Sequence, residues 1–420
     1  MSDTGDDQRQ PLWRQREYML LWSAQVVSNL GSYAAGIIYP LLVLAITQSP
    51  VIVGWVSALR ILPYLLLSLP VGALIDRWNR RRVMLVCDVG RAIAVGSLPL
   101  AMWAGVLAMP QIYLVAVIEG TLLVFFNIAE TAALPRVVPA GQLPQAAAQN
   151  QVGFAGAAIA GPALGTWLFG TLGRGLPFAV NACGFALSAM LLWRLRTRFD
   201  RRDAAPARDL RAEIAEGLRW LWHERLVRDM ALITGVSNFI QAAMPLLLIV
   251  LAKRQGASEA QIGLIFSLAG AGGMLGALVG GTVRRRLSFG QVIVGTLALQ
   301  AITFPLFGWA GSALALGLVF GVNQFVGPIY NVVQFSHRIA MIPDGLQGRV
   351  NSSFRLIAYV LNPVGAALCG VLIEHGSALW AVAFFGLVQV LVAGAAWLDP
   401  VVRHCPAGPA GAQVGGSGGR

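Results

Sequence analysis

A chain that alternates apolar runs of about 20 residues with short polar connections has few folds open to it, because such a run is what a helix needs to cross a bilayer. Between residues 18 and 398 this chain contains twelve of them, expected near 18–46, 51–75, 83–106, 110–134, 145–171, 175–194, 229–251, 258–283, 288–309, 312–338, 347–373 and 377–398. In lipid the backbone must satisfy its own hydrogen bonds, and a helix does so within one segment. The expectation is an all-α membrane protein with twelve transmembrane helices. Composition agrees, with 56% of the 420 residues hydrophobic and 12% charged, against roughly 25% charged in soluble domains. Residues 1–15 are polar and contain no apolar stretch leading to a small-residue cleavage site, so they read as a tail and not as a signal peptide.

The net charge of +12 invites a nucleic-acid partner, but its placement points to the membrane instead. Of the 31 basic residues, Arg174, Lys253 and Arg254 fall in connections expected outside, and Arg60, Arg91 and Arg355 inside spans. The rest belong to segments expected in the cytoplasm, which is the positive-inside pattern. An even span count puts both termini on that same cytoplasmic side. The longest connection mixes arginines with acids and is broken by Pro206. After it, Leu210, Ile214, Leu218, Leu221 and Trp222 have helical spacing, which predicts an amphipathic helix on the inner membrane surface. The part before Pro206 reads equally well as a solvated tether. The domain reading is a cytoplasmic tail at 1–16, a first half at 17–195, a linker at 196–228, a second half at 229–399 and a disordered tail at 400–420, rich in Gly, Ala and Pro.

The two halves superpose in sequence. Gly54 and Gly72 stand 18 residues apart, as do Gly263 and Gly281, and each second glycine is followed by an arginine cluster. Asn150 precedes Pro162 by 12 residues, and Asn351 precedes Pro363 by 12. Two six-span units in parallel repeat follow from this spacing.

The connection at 72–82 packs Asp76 and the arginines Arg77, Arg80, Arg81 and Arg82 behind Gly72. Its order resembles the loop between spans 2 and 3 of the major facilitator superfamily of secondary transporters, with Asn79 where that family usually has a second glycine. Asparagine tolerates positive φ, so a tight turn remains open to the chain there. Arg81 and Arg82 read as a solvated basic loop. The resemblance implies a cytoplasmic latch in an outward-open state, in which Asp76 faces the start of span 11 and Arg80 meets Glu130 at the inner end of span 4. Span 5 carries Gly156, Gly161, Pro162 and Gly165, similar to the antiporter motif of that family's exporters, with Thr166 in place of the final glycine. Close packing of small residues in any transporter's half explains the same run. From Trp22, Gln25, Ser28, Gly31 and Ser32 to Ile342, Pro343, Asp344, Gly348, Arg349 and Asn351, the chain resembles a bacterial branch of macrolide-efflux-like and enterobactin-exporter-like proteins. That resemblance implies proton-driven export of amphipathic drugs, siderophores or other natural products.

Chemistry of other kinds finds no foothold. A phosphate-binding loop needs Gly-Lys-Ser/Thr, and the single lysine, Lys253, follows alanine. Cys87, Cys183, Cys369 and Cys405 have no metal-ligand spacing. No enzyme activity, cofactor or metal is expected. Ionisable groups inside spans are costly and therefore candidates for function. Arg60 and Glu119 both lie nine residues in from the outer ends of their spans, about 13 Å at the helical rise, so they are placed to meet. Glu119 is then either a proton-titrating group tuned by Arg60 or half of a static ion pair. Asp88 and Arg91, i,i+3 on span 3, form a second pair, with Asp88 a lesser coupling candidate. The polar residues expected around a central site are Gln25, Asn29 and Tyr33 on span 1, Asn238 and Gln241 on span 7, and Asn323, Gln324, Tyr330 and Asn331 on span 10. Each taken alone is an ordinary interhelical hydrogen bond.

The expectation is a monomeric secondary active transporter in a bacterial plasma membrane, exporting a small amphipathic molecule by proton antiport and alternating access, with substrate, protons and lipid as partners and no nucleic acid. Two other readings stand beside it: an importer or lipid translocator of the same fold, and a non-transporting membrane sensor or scaffold.

Overall fold

The computed structural model describes residues 11–75, 77–197, 210–343 and 346–403. Helices account for nearly all of them: α1 (Arg16–Thr47), α2 (Pro50–Ile75), α3 (Arg80–Trp103), α4 (Met109–Val137), α5 (Leu143–Thr171), α6 (Leu176–Trp193), α7 (Leu210–His223), α8 (Arg225–Arg254), α9 (Glu259–Arg286), α10 (Phe289–Thr303), α11 (Leu306–Trp309), α12 (Ala313–Met341), α13 (Gln347–Val360), α14 (Asn362–His375), α15 (Ala378–Leu398) and α16 (Pro400–Arg403). Among the described residues, twelve helical stretches are long and apolar enough to cross a membrane. Two of these spans are broken. Pro305 interrupts the ninth between α10 and α11, and the eleventh breaks at Leu361, between α13 and α14, just before Pro363, because proline cannot donate to the helical ladder.

Short connections demand local chemistry. Gln48, at φ 55°, closes α1 in the left-handed region that usually takes glycine, which lets α2 start two residues later. Ser258 with Gln261 and Ser288 with Gln291 form capping boxes that open α9 and α10. Asn79 does not use the positive φ open to it. At φ −71° it is the N-cap of α3, its side chain accepting from the Arg82 amide, so the residue serves as a helix starter and not as a glycine substitute.

The apolar core shows how the halves meet. One buried cluster spans both, including Ile38, Phe178 and Phe185 of the first half and Leu247, Phe320 and Phe385 of the second. It lies toward the face remote from Leu12 and Arg403, here the far face. Toward the face that carries those ends, the terminal face, the core splits. Met84, Val124 and Leu192 belong to one cluster and Met230, Phe289 and Val350 to another. The halves are thus fused at the far face and parted at the terminal face. At the fusion α2 lies backbone to backbone on α14, where a Cβ on Gly54 would stand 2.8 Å from the Ala366 carbonyl and one on Gly370 2.4 Å from that of Pro50. Small residues of this kind let helices approach where lipid removes the hydrophobic drive for association.

Helix α7 is docked. A Cβ on Gly217 would stand 2.5 Å from the Arg349 carbonyl, Leu221 is fully buried among residues of α8, α10 and α13, and Arg349 pairs with Glu216. The helix therefore seats against the second half, leaving Trp222 55% exposed. Residues 198–209 and the tail beyond Arg403 lie outside the described residues.

Candidate functional site

Between the halves lies a cavity of about 870 Å³, within the range that small-molecule sites occupy. Its α5 wall runs from Pro162 to Ala148 and its α9 wall from Phe266 to Leu278. From Ile159 onward these helices close on each other. Ser267 Oγ donates to the Ile159 carbonyl at 2.6 Å, and a Cβ on Gly263 would strike Thr166 Oγ1. The cavity therefore ends toward the far face and widens toward the terminal face. A second cavity of about 320 Å³ shares Gly36, Arg60, Gln241 and Pro245 with it and reaches Asn238 and Asn362. At mid-depth the halves touch at Tyr64, whose hydroxyl accepts from Arg355 and whose ring meets Tyr359 edge-on at 5.5 Å.

Arg60 and Glu119 are brought together. Arg60 Nη2 donates to Glu119 Oε1 at 2.9 Å and its Nε to Oε2 at 3.2 Å, a two-pronged fork joining α2 to α4. Nη2 also reaches the Ser32 carbonyl on α1 at 3.3 Å. Glu119 is fully buried, while the Arg60 side chain keeps 18% of its surface and lines both cavities. The arginine faces the cavity and the acid stands behind it.

Asp88 and Arg91 form a second buried unit, both wholly inaccessible. Their direct contact is 3.4 Å. Asp88 also accepts from Ser188 Oγ at 2.5 Å and Ser28 Oγ at 3.4 Å, and Arg91 donates to Ser28 Oγ at 2.9 Å and Ser32 Oγ at 2.5 Å. The guanidinium lies 3.8 Å from the Phe185 ring centroid. The unit ties α1, α3 and α6. Ser32 offers its carbonyl to Arg60 and its hydroxyl to Arg91, so one serine touches both cations. Sequence reading named the pair but did not give it Ser28, Ser32 and Ser188 as partners. Their signal is the i,i+4 spacing of the first two on α1.

Among the expected cavity residues, Tyr33, Gln241 and Gln324 line the larger space, with Gln241 donating to Gln324, and Asn238 lines the smaller one. Gln25 and Asn29 are buried on α1 outside both linings. Asn323 donates to Thr303 at 3.4 Å, Tyr330 shares a hydrogen bond with Thr234, and Asn331 is exposed. Helix rotation decides this sorting, and hydropathy does not report it.

At the terminal side Asp76 lies outside the described residues. Gly72 has open space about its Cα, Arg77 is exposed and Arg80 opens α3. Glu130 is 6% exposed and has no ion pair or hydrogen bond among the described residues. Arg81 is not a solvated bystander. Its Nε donates to the Leu192 carbonyl at 2.9 Å and its Nη2 to that of Trp193, closing the C-terminal end of α6 with a cation where the helix dipole is negative. Arg82 remains exposed. On α5, Gly161 and Gly165 admit α1, since added Cβ atoms would stand 2.8 Å from the Leu30 carbonyl and 3.0 Å from Ala34 Cβ. Gly156 meets nothing within 4 Å. Thr166 turns its hydroxyl back to the Pro162 carbonyl at 2.8 Å, which keeps a polar group satisfied where the family motif has none. Sequence reading also passed over Arg338, 6% exposed on α12 and 3.8 Å from the Phe354 ring centroid.

A helical bundle in two repeated halves around a central cavity defines a transporter, and comparison with known sequences agrees. Residues 21–360 match the Major Facilitator Superfamily. The chain belongs to that family. It is 28% identical over 375 residues to the multidrug efflux pump Tap of Mycolicibacterium fortuitum, covering 85% of this chain and 89% of that protein. It is also 28% identical over 383 residues to the uncharacterised transporter YfiS of Bacillus subtilis, covering 87% of this chain and 88% of that one. The fold is similar to a bacterial homologue of the iron transporter ferroportin in an inward-facing state, with TM-score 0.69 at 17% identity over 91% of this chain and 100% of the other. The nucleoside transporter NupG gives TM-score 0.73 at 14% identity over 90% and 98%.

Proposed function

We propose that the protein exports small amphipathic molecules across a bacterial plasma membrane by proton antiport, its halves rocking about the central site to give alternating access. The cavity carries this reading: about 870 Å³ of largely apolar wall, closed at one face and widening to the other, with Arg60 at its edge and Glu119 hidden behind. Two similar proteins named as efflux pumps or family transporters support a transport role, and the first supports export. The arginines of the terminal face support a cytoplasmic side for that face and for both termini, on which reading the conformation described is inward-facing and ready to load. The protein works as a monomer among membrane lipids, because each half already finds its partner within the chain. Coupling runs through Glu119. Its carboxylate holds Arg60 in the fork, and proton uptake from outside dissolves the fork once per cycle.

The test is accumulation of a panel of dyes and antibiotics in cells with and without the protein, at two external pH values. Lower accumulation with the protein, deeper at acid external pH, supports export by antiport. Equal accumulation across the panel points to the sensor or scaffold reading, and higher accumulation to import.

A further inference from the structure

We infer that the cavity selects uncharged amphiphiles bearing an oxygen acceptor, and that Arg60 Nη1 is the donor that holds that oxygen. This rests on the transporter reading of the cavity. Arg60 spends Nε and Nη2 on Glu119 and the Ser32 carbonyl. Nη1 makes no hydrogen bond among the described residues, and it stands 3.8 Å from where a Cβ on Gly36 would lie. Gly36 lines both cavities, so the absent side chain leaves the way to this N–H open. A guanidinium N–H without an acceptor at the wall of an apolar space is a strong, directed recognition element.

Charge balance decides the class of ligand. Among the described residues lining the two cavities Arg60 is the only charged one, and Glu119 has no accessible surface. An entering cation would lose its hydration, meet the positive end of the pair and find no acid. An entering carboxylate would find Arg60 already neutralised by Glu119 and would bring a second anion beside it. An uncharged carbonyl, ether or hydroxyl oxygen takes the free N–H without upsetting the pair. The remaining wall, with Phe154, Met244, Phe266, Met274 and Phe320, suits an apolar body, and methionine adapts to many shapes. Glu119 is thereby a positioning residue, since the fork that binds it aims Nη1 at the cavity.

The experiment uses the full chain in lipid nanodiscs and three probes of one ring system: diethylaminocoumarin, its carboxylate derivative and its trimethylammonium derivative. Binding is read by equilibrium dialysis against empty nanodiscs. The expected result is that the uncharged probe binds at least about tenfold more tightly than either ion, and that the double variant Arg60→Met with Glu119→Gln loses about tenfold or more of that affinity, the scale of a hydrogen bond from a charged donor. The double variant removes both charges together, so no unpaired ion is left buried. Arg60→Lys, which keeps charge and donors but loses the fork, should lose affinity to an intermediate degree. Equal binding of the three probes, tighter binding of either ion, failure of the uncharged probe to bind, or unchanged affinity in the double variant each overturns the inference. Dye extrusion by cells would survive any of these results, so the two readings fail separately.

Discussion

Glu374, near the end of α14, accepts hydrogen bonds from Ser49 Oγ and from the Val51 amide at 2.9 Å, so that a residue of the second half caps the first turn of a helix in the first. Because it joins the two halves, opening of the far face would break it. Replacing it by Glu374→Ala should cost this conformation about 0.5–1 kcal/mol, the lower part of the range for a lost N-cap because the site is exposed. That shifts the conformational ratio about two- to fivefold toward an open far face. Spin labels at Leu172 and Leu379, both exposed, on a cysteine-free background should report a larger fraction of long distances. Unchanged distances would leave the cap without a role in the cycle.

For coupling, Glu119→Gln mimics the protonated acid and should abolish uphill extrusion together with its dependence on external pH, while substrate exchange down a gradient continues. Extrusion in everted vesicles against exchange in proteoliposomes separates the two. A variant that still pumps uphill with unchanged pH dependence makes the Arg60 contact static and moves the search to Asp88.

Glu130 is buried without a partner among the described residues, and the family resemblance gives it a loop arginine when the terminal face closes. A lone buried carboxylate is costly, so Glu130→Gln relieves this conformation and weakens the other. The ratio should move about tenfold or more toward an open terminal face, a free-energy change of about 1.4 kcal/mol. Labels at Gln145 and Leu287, exposed at the ends of α5 and α9, should then show longer distances. Shorter ones would contradict the latch.

The Asp88 unit should govern stability and not transport. Asp88→Asn leaves Arg91 buried with no carboxylate, a loss of about 3–5 kcal/mol that lowers the yield of folded protein. Ser188→Ala removes one hydrogen bond to a charged group and should cost about 1–3 kcal/mol, with extrusion per folded molecule unchanged. Thermal unfolding in detergent measures the first effect, and transport normalised to folded protein the second.

Sidedness has a direct check. Single cysteines at Gln48, Gln255 and Ser377 should react in whole cells with an impermeant thiol reagent, whereas cysteines near Arg9, in the linker or at Arg403 should react only after the membrane is opened. The reverse pattern would invert the orientation and make the described conformation outward-facing.

The helices and their number were legible in the sequence because insertion into lipid is a local matter: each run of apolar residues carries its own signal, whatever the neighbours do. The meeting of Arg60 with Glu119 was legible for the same reason, since equal depth follows from counting residues along two spans. Rotation about the helix axis is not local. It is set by where backbones approach most closely, as at Gly54 with Ala366 or Gly161 with Leu30, and those contacts join residues far apart in the chain. Tertiary structure alone therefore decided that Tyr33 and Gln241 line the cavity while Gln25 and Asn29 do not. It also decided that three serines from two other helices complete the Asp88 unit, and that Arg81, one arginine among four in a basic loop, closes the end of α6. The cap that Glu374 places on α2 belongs with these, because a helix end shows its need for an acceptor in sequence but not which distant residue supplies it.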